Sequence, residues 1–123
     1  MTWPPMVLKL AAAITKAEGS PPEWNNPGDL TGSDAGGFQT LGTANAEGVW
    51  KFADLSDGTT ALYVKVARML AGQSRIYTPD MTLAQVGMKY SGGDVNWSKN
   101  VAAELGVPET TTLSQLSQEN PSV

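Results

Sequence analysis

The chain contains no cysteine and no histidine. Without cysteine there is no disulfide framework and no thiolate to serve as metal ligand or nucleophile. Without histidine the commonest general base, the usual zinc ligand and every Ser-His or Cys-His pair are missing. Any catalysis must rest on carboxylates, with Tyr, Lys, Ser or backbone groups in support. Charge is sparse, at 16% of residues, and the net value is -4. The eight cations, Lys9, Lys16, Lys51, Lys65, Arg68, Arg75, Lys89 and Lys99, are scattered along the chain and read as a solvated surface. That pattern argues against a nucleic-acid partner, which would require a basic patch. No apolar run approaches the roughly 20 residues of a membrane span. Met1 to Pro5 lacks the basic segment of a secretory leader. There is no internal repeat, and the acidic residues show no calcium-loop spacing, so neither metal nor cofactor is expected.

What is present fits one small domain over residues 1–123, with 41% hydrophobic residues, enough for a single core. Val7, Leu10, Ala11 and Ile14 recur at helical spacing and predict a helix over about residues 5–18, started by Pro5 and stopped by Gly19. Ser20-Pro21-Pro22 cannot continue it. Asn25-Asn26-Pro27-Gly28-Asp29 predicts a type II turn, with Gly28 supplying a positive φ. Residues 30–54 carry many glycines and few apolar residues, which predicts an irregular insertion. Short strands are expected there, near Gly36 to Leu41 and Gly48 to Phe52. A second helix is expected over about 58–71, capped by Ser56 or Asp57, with Leu62, Val66, Met69 and Leu70 inward and Gly72 closing it. Thr82 to Gln85 and Thr112 to Gln115 read as capping boxes, the first with Met81 and Val86 as a hydrophobic staple. The first of these helices stops at Ser91-Gly92-Gly93. Between the two boxes, Asp94 caps a helix with Trp97, Val101 and Leu105 on one face, stopped at Gly106-Val107-Pro108. Residues 118–123 are expected to fray. The result is a predominantly α-helical α+β domain of about five helices.

One carboxylate stands out. Continuing the apolar stripe of the first helix lands on Glu18, at the core-facing end just before Gly19. Burial there raises a carboxyl pKa, which suits a general acid near neutral pH. The aromatics Trp3, Trp24, Trp50 and Trp97 read as core anchors, with Trp24 and Trp50, in loop and strand contexts, as the candidates for sugar platforms.

With these elements placed, the sequence resembles the lysozyme-like superfamily, which includes goose-type lysozymes and lytic transglycosylases. The resemblance runs from Ala17-Glu18-Gly19 and Asn25 to Leu30 through Val49 to Phe52, Gly58 to Leu62, Tyr90 to Gly93 and Asn96 to Val107. The family's Gly-Leu-Met-Gln type motif has no counterpart. The resemblance implies a lysozyme-like fold and a muramidase in which Glu18 is the acid that protonates the bond between N-acetylmuramic acid and N-acetylglucosamine. It also implies that Asn26 and Asp29 line the cleft opposite the acid and that Phe52 and Tyr90 form its wall. Asp29 is the first choice for a second catalytic carboxylate, with Asp34, Glu47 and Asp54 as alternatives. If no partner exists, Glu18 acts first as acid and then as base, as in lytic transglycosylases. The remaining readings are a cell-wall-binding or structural domain without turnover and a helical interaction module in which Glu18 is a surface residue. The implied partner is a peptidoglycan strand, met by a monomer acting at the bacterial cell wall, in the periplasm or outside the cell after export or release.

Overall fold

The computed structural model describes residues 2–118. The order of elements is α1 (Pro5–Glu18), two single turns of 3-10 helix (Pro22–Trp24 and Gly32–Ala35), β1 (Thr40–Thr43), β2 (Trp50–Phe52), α2 (Leu55–Leu70), α3 (Leu83–Ser91), α4 (Val95–Leu105) and α5 (Leu113–Gln118). Among the described residues this is a predominantly helical α+β fold with one two-stranded antiparallel sheet. Apart from Gln118, which ends α5, the expected fraying of 118–123 falls outside the described residues.

The central helix α1 packs on both α2 and α4, while α3 packs on α4 and α5 on α2. Its predicted stripe is the buried one: Val7, Leu10, Ala11 and Ile14 are sequestered, joined by Met6 and Ala13. The core continues through Leu62, Val66 and Met69 of α2, Leu83 and Val86 of α3, Trp97 and Val101 of α4, and Leu113 and Leu116 of α5. Both capping boxes form. Thr82 and Gln85 exchange backbone-to-side-chain bonds of 2.9 and 3.2 Å, and Thr112 and Gln115 exchange bonds of 2.9 and 3.1 Å. The two helix starts are then tied together, with Leu83 N–H donating to Thr111 and Leu113 N–H donating to Met81.

Three local expectations are corrected. The strands pair Thr40 with Phe52 and Thr43 with Trp50, so β1 overlaps the expected Gly36–Leu41 stretch only at Thr40 and Leu41 and runs on to Thr43. Residues 32–35 coil into the 3-10 turn, and Phe38 N–H closes back on Ala35, so the strand begins only at Thr40. The second helix begins at Leu55 rather than at about 58, because Asp54 is its cap and accepts from Asp57 N–H at 2.9 Å. Asp57 and Ser56 therefore lie inside the first turn. In the Pro-Gly turn the left-handed residue is Asp29, at φ 55°, not Gly28. Gly28 is small for another reason: a Cβ there would stand 2.6 Å from Leu62 Cδ1.

Candidate functional site

The last turn of α1 delivers Glu18 to a place where three other segments converge. Gly19 takes a left-handed conformation and its N–H returns to Thr15, so the chain turns away directly after the carboxylate. Trp97, buried on α4, donates its indole N–H to Glu18 Oε2 at 2.6 Å. Tyr90 of α3 stacks on Trp97, with ring centroids 5.0 Å apart, and donates its hydroxyl to the Gly28 carbonyl at 2.6 Å. Lys65 of α2 lies 4.5 Å over the Tyr90 ring and 5.5 Å from that of Tyr77 while pairing with Asp34 at 2.6 Å.

Asp29 completes the group. Its left-handed backbone is one that aspartate tolerates better than most residues. Its Oδ1 accepts from the Ser20 hydroxyl at 3.1 Å, closing the loop that follows α1. It also bears on Glu18 as a nearby negative charge that favours the acid's protonated form.

These contacts set the protonation of the site. The Glu18 carboxyl is pushed up to about 7, first because burial disfavours its charged form. The Trp97 hydrogen bond opposes that rise, the nearby charge of Asp29 adds to it, and Lys65 pulls it down. Tyr77 is raised to about 12 by burial and by the negative charges of Asp34 and Glu18. Tyr90 is raised well above its ordinary value, chiefly by burial and then by Glu18. Both phenols therefore stay protonated in neutral solution, and Tyr90 remains a donor to Gly28. The chemistry available is that of one carboxyl that holds or releases a proton near neutrality, flanked by neutral aromatics.

Of the residues selected from sequence, Glu18, Asp29 and Tyr90 are brought together. Asn26 and Phe52 are buried, and Asn26 borders a small cavity of about 120 Å³ beside Gly19 and Pro22. Phe52 is 0% exposed and Asn26 is 2% exposed. The Asn26 amide donates to the carbonyls of Leu30 and Trp50 at 3.1 and 2.8 Å and accepts from Leu30 N–H at 2.9 Å, stitching the loop to β2. Trp50 is partly exposed and donates its indole N–H to Gly32, and Trp24 is partly exposed in its 3-10 turn. Among the described residues no side-chain hydrogen bond or ring contact joins either tryptophan to Glu18, Tyr90 or Trp97. Among the alternative carboxylates, Asp34 is paired with Lys65, Asp54 caps α2, and Glu47 is exposed in the hairpin loop.

Three participants were not legible as such. Trp97 read as a core anchor, yet a buried indole N–H needs an acceptor, and that requirement was the available signal. Lys65 read as surface, although it stands one turn from Ala61 and Met69 on the inner side of α2. Tyr77 sits in the connector before α3, where no periodicity marks it. No group of three or more metal-ligating side chains occurs among the described residues. No family model, characterised protein or solved structure matches this chain.

Proposed function

We propose that this chain is a peptidoglycan-cleaving glycosidase with a lysozyme-like fold, a muramidase in which Glu18 is the general acid. The observation that carries the reading is a carboxyl at the end of α1, held by one indole donor and raised to about 7. Such a group is protonated in a useful fraction near neutrality and can give its proton to a glycosidic oxygen as the bond to the anomeric carbon breaks. The leaving sugar departs with that proton as a new hydroxyl, and the remaining sugar carries oxocarbenium character. Glu18 is then the carboxylate. Trp97 steadies it in that form, because its N–H bonds the charged state.

Asp29 bears on the second half-reaction. Paired carboxyl groups stand about 5–5.5 Å apart in retaining glycosidases and roughly 6.5–9.5 Å apart in inverting ones. Asp29 bears on Glu18 as a nearby negative charge, and its Oδ1 is engaged by the Ser20 hydroxyl at 3.1 Å. We read it as a positioning residue that favours the protonated acid, rather than as a nucleophile or base. Glu18 then takes the next proton as well. If that proton comes from the substrate's own 6-hydroxyl, whose oxygen bonds to the anomeric carbon, the product is a 1,6-anhydro sugar; if it comes from water, the product is a reducing end. Mass spectrometry of fragments released from purified peptidoglycan tests the proposal. Anhydro muropeptides are expected on the intramolecular route and reducing-end muropeptides on the hydrolytic one. Binding to the wall without release of either would overturn it in favour of a wall-binding domain.

A further inference from the structure

Three of the eight cations, scattered in the sequence, meet in space. Lys65 and Arg68 from α2 and Arg75 from the following connector line an open groove of about 680 Å³. The same groove is lined by Phe38, Tyr77 and Asp34. Asp34 is the one carboxylate among its lining residues, and it is already paired with Lys65 at 2.6 Å. Arg68 and Arg75 are exposed, and neither guanidinium has an ion-pair partner among the described residues. In a chain of net charge -4, this is a local excess of positive charge beside apolar surface. The groove adjoins the acid's surroundings directly. Lys65 lies over Tyr90, and the Tyr77 ring is 6.2 Å from the Tyr90 ring that stacks on Trp97.

We infer that this groove is a subsite for an acidic peptide, with Arg68 and Arg75 taking its carboxylates and Phe38 and Tyr77 packing against its aliphatic portions. Guanidinium forks match carboxylates in pairs, and the half-apolar lining suits a short acidic peptide better than an uncharged sugar such as N-acetylglucosamine. This rests on the proposed glycosidase activity for one point only: that the peptide arrives attached to the glycan strand, placed so that the strand runs on towards Glu18. Binding of the peptide itself is independent of cleavage.

The experiment is an NMR titration of the full chain with a soluble tetrapeptide of alanine and glutamate, and with the same peptide after its carboxylates are converted to amides. Saturable shifts at Arg68, Arg75 and Tyr77 are expected with the acidic peptide and are expected to be lost with the amide form. The R68Q/R75Q variant, altered at two exposed positions, should fold as the parent does by circular dichroism and bind the acidic peptide roughly tenfold more weakly. Equal binding of the two peptides, unchanged affinity of the variant, or shifts that avoid the groove would each overturn the assignment. Peptidoglycan cleavage with no peptide binding would sink the subsite and spare the glycosidase. Peptide binding without cleavage would do the reverse.

Discussion

Glu18 is governed by a small number of neighbours whose effects differ in sign. Burial and Asp29 favour its protonated form, whereas Trp97 and Lys65 favour the carboxylate. Trp97→Phe keeps most of the ring but removes the donor, so the Glu18 pKa should rise above about 7. Asp29→Asn removes a negative charge, so the same pKa should fall towards 4.5 while staying above it, because burial is the larger cause. Carbon-detected NMR of the Glu18 carboxyl reads both shifts, and displacement in the same direction would contradict this balance. At this scale the sequence was informative about Glu18, since the 3.6-residue stripe of α1 leads to it. It was silent about Trp97 as a partner, because periodicity places a side chain on a face but does not say what its polar atom meets.

At the scale of elements, the site depends on how the loop after α1 is pressed against the start of α2. A Cβ on Gly58 would lie 1.7 Å from the Asn25 carbonyl oxygen, so the helix and the loop touch backbone to backbone there. Asn25 also donates its side-chain amide to the Phe52 carbonyl at 3.2 Å, which fixes the loop to β2. Gly58→Ala must push the two apart, and a loss of about 3 kcal/mol is expected, the upper end for overpacking. The urea midpoint measures it, and a neutral result would show that the loop yields freely. The helices were readable because caps, glycine stops and apolar spacing agree with one another over most of their length. The insertion was not. Residues 31–43 carry little apolar periodicity, and the choice between a 3-10 turn and a strand is made there by contacts with Val49, Trp50 and Lys65 that lie distant in sequence. The same holds for the start of α2, where Asp54, Ser56 and Asp57 are all chemically able to cap and only the fold selects Asp54.

For the whole molecule, a carboxyl raised from 4.5 to about 7 makes stability depend on pH. The folded state binds the Glu18 proton more tightly than the unfolded chain does. This contribution is therefore fully present below about 4.5 and is lost as pH rises through about 7. Glu18→Gln carries no such proton, so its stability relative to the parent should climb across that window and level off above it. Thermal melts of both proteins at pH 4 to 8 test this, and a constant difference would contradict it. The gathering of Lys65, Arg68 and Arg75 also belongs to this scale, because the pattern along the chain dispersed what the packing of α2 against the connector collects. The central claim is that the proton on Glu18 breaks the glycosidic bond. It is tested most directly by the rate of glycan cleavage in purified peptidoglycan by the parent chain and by Glu18→Gln, under conditions where both are folded. A loss of at least about a hundredfold is predicted, as expected for removal of a general acid; cleavage by the variant at the parent rate would contradict it.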